Sequence, residues 1–192
     1  MVAQCMQIIS LQSSKIGRVC NMNYHNIDHC DMLNGNGIRV SLWVSGCSLH
    51  CKGCQNPQTW EFNSGIPFNT DALQELYEAL DKPYIQGLTL TGGNPLDSAP
   101  EILYICRTVK EKFPNKDIWL YTGYHFEDII NSPLRDMCTT LRRRIVEMCD
   151  VVVDGKYVDE LRNITLKWRG SENQRVIDIK TSLKQKKVVL WE

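Results

Sequence analysis

The chain has 192 residues, 43 % of them apolar, enough for one compact unit with a sizeable core. Its 22 basic residues cancel 22 acidic ones, so no global field favours nucleic acid, a membrane surface or a polyanionic substrate. The nine cysteines form an odd, scattered set, no stretch reads as a secretory leader and no eighteen apolar residues follow one another, which argues against a disulfide framework and leads us to expect a cytoplasmic protein with reduced thiols.

Residues 1–21 are polar and aperiodic, and are expected to be a loosely attached N-terminal extension to a single domain over residues 22–192. Arg39 to Ser45 (RVSLWVS) is rich in β-branched and aromatic residues and predicts a strand that ends at Gly46, just before Cys47. Leu73, Leu76, Tyr77 and Leu80 recur at helical spacing behind Asn69, Thr70 and Asp71, which suit a helix N-terminus, and Pro83 helps to stop that helix. Gly87 to Thr91 (GLTLT) predicts a second strand running into Gly92, Gly93, Asn94 and Pro95, which cannot continue a regular element.

Ser98, Pro100 and Glu101 have the form of a capping box opening a helix with Ile102, Cys106, Val109 and Phe113 on its apolar face, closed by Pro114 and Asn115. Ile118 to Tyr121 predicts a third strand before Thr122 and Gly123. Leu134, Met137, Cys138, Leu141, Ile145 and Met148 mark another helix, and Val151 to Val153 a fourth strand. Alternation at this spacing argues for an α/β domain with a mostly parallel sheet, open or curled as part of a barrel. Ligand sites in such folds lie at the carboxyl ends of the strands, so the cysteine loop, the Gly92–Gly93 loop and the Thr122–Gly123 loop can converge on one pocket.

Cys47, Cys51 and Cys54 give C-x3-C-x2-C within SGCSLHCKGCQNPQTW. Three thiolates on one short loop can each take one iron of a cubane cluster and leave the fourth iron open to substrate. A structural zinc site using His50 or a remote fourth ligand competes, yet such sites usually pair two cysteines with a second distant pair, which this chain lacks. His25, His29 and His125 have no metal-ligand spacing, Cys106, Cys138 and Cys149 fall on apolar helical stripes or their ends, and Arg142, Arg143 and Arg144 are expected on solvated helix faces.

The cysteine spacing resembles that of the radical S-adenosylmethionine superfamily. Most members of that superfamily carry an aromatic residue before the third cysteine, and Gly53 in that place is similar to the activating proteins of anaerobic ribonucleotide reductases. That narrower resemblance extends from MNYHNIDHCDMLNGNGIRVSLWVSGC at Met22 through TGGNPL (91–96), DIWLYTGY (117–124) and DVVVDGKYV (150–158) to WRGSENQRVID (168–178).

The resemblance implies a partial (β/α) barrel in which Cys47, Cys51 and Cys54 hold a [4Fe-4S] cluster, with S-adenosylmethionine chelating the open iron. One electron would cleave the sulfonium C–S bond to methionine and a 5′-deoxyadenosyl radical. It further implies that Gly92 and Gly93 bring bare backbone near the methionine amino group, with Asn94 where relatives often carry Asp or Glu. Gly53, Cys54 and Gln55 would line the cofactor, Gln55 with an amide in place of a common aromatic ring. The segment Arg169, Gly170, Ser171, Asn173, Gln174 and Arg175 would shape the cofactor or partner mouth or form a solvated loop, with Asp154 and Lys156 as comparable candidates. The implied partners are the large subunit of an anaerobic ribonucleotide reductase, whose backbone glycine would lose a hydrogen atom, and a one-electron donor such as flavodoxin. Activation of another glycyl-radical enzyme such as formate lyase, and a non-catalytic zinc-stabilised binding module, are the alternatives.

Overall fold

The computed structural model describes residues 21–134 and 136–191, so the expected N-terminal extension, apart from Asn21, lies outside the described residues. Seven strands form one sheet: β1 (Asn23–Asp31), β2 (Arg39–Val44), β3 (Ile66–Pro67), β4 (Gly87–Gly92), β5 (Asp117–Tyr121), β6 (Val151–Asp154) and β7 (Arg175–Asp178), in the order β3-β1-β2-β4-β5-β6-β7. Among the described residues the helices are α1 (Thr70–Leu80), α2 (Ala99–Lys112), α3 (Phe126–Ile130), α4 (Met137–Met148) and α5 (Ile179–Gln185).

The α/β expectation holds, with one correction to the sheet. β2, β4, β5 and β6 run parallel, as predicted, but β1, β3 and β7 attach antiparallel at the two sides. Connection length explains the difference. A parallel return needs a crossover of a dozen or more residues, and only residues 32–38 separate β1 from β2.

Period-two alternation divides the sheet into two chemically distinct faces. Val40, Leu42, Val44, Leu88, Leu90, Ile118, Leu120, Val152 and Ile177 pack with the buried stripes of all five helices in one apolar cluster. Trp43, Thr89, Thr91, Trp119 and Tyr121 alternate with them and face the other way, where Trp119, Val151, Val153 and Val176 form a smaller cluster with Trp168 and Trp191. Those three indoles meet edge to face at 5.0–5.2 Å. Among the described residues the helices therefore occupy one face, and the other carries a cavity.

Local rules account for most ends. Asn69 caps α1 by accepting from the N–H groups of Asp71 and Ala72, as its position predicts. The capping box at Ser98 does not close. A 3-10 turn over Pro95–Ser98 leads straight into α2, the Ser98 side chain makes no cap bond, and Glu101 accepts instead from the Asn21 N–H. The third predicted helix starts later than expected: Leu134 is exposed outside it, and Asp136 caps α4 at the Thr139 N–H.

Candidate functional site

The loop after β2 carries the three cysteines, and backbone hydrogen bonds staple it in place. Cys47 N–H donates to Trp60 O (2.9 Å), Gly46 N–H to Thr59 O (2.8 Å), and Asn94 N–H from the next loop donates to Gly46 O (2.8 Å). Gly92 and Gly93 make that approach possible. A Cβ on Gly93 would collide with the Gly46 carbonyl oxygen, and one on Gly92 with the backbone of Val44, so the glycine pair is demanded by the contact between two loops. Gly46 (φ 94°) and Gly53 (φ 71°) supply the left-handed turns on either side of Cys47 and Cys51.

Cys47, Cys51 and Cys54 open with Gln55, Gly92, Gly93 and Asn94 onto a cavity of about 530 Å³ on the helix-free side of the sheet. Trp43, Thr91, Tyr121 and Thr122 form its wall, and the segment after β6, with Arg162, Ile164, Trp168 and Arg169, covers it. Gln174 fixes that cover: its Oε1 accepts from the N–H groups of Gly170 (3.0 Å) and Ser171 (3.2 Å), and its Nε2 donates to Gly155 O (3.1 Å).

The cavity gathers buried polar groups that have no partner among the described residues. Trp60 Nε1, Asn94 Nδ2, the Tyr121 hydroxyl and Arg169 Nε are all of this kind, and all four residues line it. The orientation of Asn94 follows from its neighbours. Tyr124 N–H donates to Thr122 Oγ1 (3.2 Å), and the Thr122 hydroxyl donates to Asn94 Oδ1 (2.9 Å), leaving the amide nitrogen unused. Orphaned buried donors are costly, and four of them belong to residues that line this one cavity.

Burial is the main influence pushing the Cys47 thiol up, and the charges of Asp97 and Cys51 add to it, while the N–H groups of Leu49 and His50 oppose. Asn56 N–H donates to Cys54 Sγ at 3.4 Å. Burial likewise drives the Tyr121 hydroxyl up. Among the described residues no three His, Cys, Asp or Glu side chains converge to cage a single ion. A cubane makes a different demand, since each thiolate takes its own iron.

The sequence matches, over residues 33–177, the family described as a 4Fe-4S single cluster domain. Curated relatives share one description, anaerobic ribonucleoside-triphosphate reductase-activating protein. The relative from Enterobacteria phage T4 is 46 % identical over 157 residues, covering 81 % of this chain and 93 % of its own. That from Escherichia coli K12 is 38 % identical over 159 residues, 81 % of this chain and 97 % of its own, and that from Vibrio cholerae is 38 % identical over 157 residues, 80 % and 96 %. The chain belongs to this family of reductase-activating proteins.

For a family member with a [4Fe-4S] domain, the residues present suit the group: three partly exposed thiols on one loop facing a cavity, with N–H groups aimed at two of the sulfurs. The structure divides the other predicted candidates. Arg169, Gly170 and Gln174 line the cavity, whereas Ser171 is buried and Asn173 ties down Lys156 O. Arg175 and Asp154 are not cavity residues; they form a partly buried ion pair shared with Glu127, because β7 lies antiparallel beside β6 there. Lys156 is exposed.

Arg142 corrects its expectation. It is partly buried, donates to Leu96 O and to Asp97, and lies 4.5 Å over the Tyr124 ring, because α4 turns that residue onto the Pro95–Ser98 turn; Arg143 pairs with Glu147 on the exposed side as expected. Cys106 and Cys149 are core thiols. His25 and His29 hydrogen-bond Ser64 and Glu75. Trp60, Tyr121, Ser48 and Asp97 escaped the sequence reading. The placement of Trp60 five residues past Gln55, in the same segment as the cysteines, was the one available signal. The others meet the site through tertiary contacts alone.

Proposed function

We propose that this chain reductively cleaves S-adenosylmethionine at a [4Fe-4S] cluster and so installs a glycyl radical on an anaerobic ribonucleotide reductase. The observation that carries this reading is the three-cysteine loop opening onto a donor-lined cavity at the carboxyl ends of parallel strands. The fold reading that goes with it is a partial (β/α) barrel of the radical S-adenosylmethionine type, supported by helices confined to one face of the sheet.

Cys47, Cys51 and Cys54 would hold the cluster. Bound together, the cluster and S-adenosylmethionine supply one-electron cleavage of a sulfonium C–S bond, giving methionine and a carbon radical that takes one hydrogen atom from a glycine Cα. This chain's part is placement. Asn94, Tyr121, Trp60 and Arg169, each lining the cavity with a donor unpaired among the described residues, would be the residues to hydrogen-bond the cofactor. Gly92 and Gly93 keep side chains out of the space beside the cluster loop. The segment from Arg162 to Gly170 excludes water from one side, and the reductase would close the other, which shields a radical from quenching. A one-electron donor such as flavodoxin would reduce the cluster.

The test is EPR on the anaerobically reconstituted protein. The reduced cluster signal should change on adding S-adenosylmethionine, and a glycyl doublet should appear on the reductase when the two proteins are mixed. Deuterium at that glycine should pass into 5′-deoxyadenosine. A doublet on a formate lyase with a silent reductase would move the assignment to another glycyl-radical enzyme, and zinc without iron or sulfide would end it.

A further inference from the structure

Beside the cluster loop, and outside the cavity lining, stands a carboxylate with four hydrogen bonds. Asp97, whose side chain is 4 % exposed, accepts on one oxygen from Ser48 N–H (2.9 Å) and the Ser48 hydroxyl (2.8 Å). Its other oxygen accepts from the Tyr124 hydroxyl (2.7 Å) and Arg142 (3.0 Å). Ser48 directly follows Cys47. Arg142 is held in turn by Leu96 O and by the Tyr124 ring, and the Tyr124 N–H continues the path through Thr122 to Asn94. One network thus joins the three loops around the cavity.

We propose that Asp97 and Arg142 act as an opposed charge pair that positions the Cys47 corner of the cluster loop and sets the cluster's reduction potential. The inference rests on the cluster reading above and names the residues that tune it. Hydrogen bonds and charges just outside the ligands are the protein's main means of adjusting such a potential. Asp97 stands between Arg142 and the loop, so the cluster meets the negative charge first and the positive charge behind it. Reduction adds one electron. A nearby carboxylate opposes that gain and a nearby guanidinium favours it, and in this half-buried setting neither is fully screened.

The two charges therefore predict shifts of opposite sign. In D97N the amide still accepts from Ser48 N–H, but Arg142 is left uncompensated, and the midpoint potential of the reconstituted protein should rise. In R142M the carboxylate is left uncompensated, and the potential should fall. Each shift should be about tenfold in the reduced-to-oxidised ratio, which for one electron is about 59 mV. The double variant should return towards the unsubstituted value. A mechanical clamp alone would disturb both single variants in the same direction, so like-signed shifts or unchanged potentials overturn the proposal. Should D97N fail to take up iron, the required fall in R142M decides, and loss of the cluster from both variants also overturns it. A cluster whose EPR signal ignores S-adenosylmethionine would sink the proposed reaction, while the two potentials would still decide the role of this pair.

Discussion

Asn94 shows how a single side chain can be fixed by its neighbours and still be left half unused. Its Oδ1 is committed to Thr122, and its buried Nδ2 has no partner among the described residues. Replacing it by Ala should leave iron and sulfide content unchanged, because its own N–H to Gly46 O is a backbone bond, and should weaken S-adenosylmethionine binding by about tenfold, the worth of one hydrogen bond to a charged group. Equilibrium binding under anaerobic conditions measures this. By contrast, Ala at Cys47, Cys51 or Cys54 should abolish the cluster, and Ala at Cys106 should cost only core packing, since Cys106 is fully buried among helix residues. The three cysteines were legible because their spacing is local. Asp97 and Tyr121 were not, since their roles depend on loops brought together by the sheet.

At the scale of elements, the cover over the cavity hangs on Gln174, which makes three hydrogen bonds to the backbone of Gly155, Gly170 and Ser171. Gln174→Ala should loosen residues 162–174 without disturbing the cysteine loop. Hydrogen exchange read by mass spectrometry should speed up in that segment alone, and exchange in residues 46–60 should not change. The four parallel strands were legible in the sequence because they are β-branched and buried on both faces. β1 was not. Its sequence, NYHNIDHCD, is polar at most positions, and of its residues only Tyr24, Ile27 and Asp31 are buried, so its two buried apolar side chains are too sparse a signal. Helices α3 and α5 were missed for shortness, having five and seven residues. The capping box at Ser98 misled because the residue pattern takes no account of the 3-10 turn that enters α2.

For the molecule as a whole, acid is the side on which stability should fail. Burial alone would raise Asp150, but Lys110 and Lys180, each 2.6 Å away, and the Ile118 N–H outweigh it and hold the carboxyl below its ordinary range. Glu127 is lowered first by its bonds from Arg175, and Asp31 by Ser41, Asn34 and two N–H groups acting against burial. The folded state thus binds these protons less readily than the unfolded chain. Their contribution is complete above the usual carboxylate pKa of about 4 and is lost as pH falls through the lower folded values. Lys110→Met should move the midpoint of acid unfolding, followed by circular dichroism, to higher pH. The four orphaned groups of the cavity have a thermal consequence. A fold that strands buried polar atoms is less heat-resistant than it need be, and the deficit ends when a ligand satisfies them. Calorimetry of the cluster-loaded protein should show S-adenosylmethionine at a hundred times its Kd adding about 2.7 kcal/mol of stability. Tyr121→Phe, which deletes one stranded hydroxyl, should melt at a higher temperature than the unsubstituted protein when empty, yet gain less from the ligand, so that heat resistance and affinity move in opposite directions with one oxygen atom.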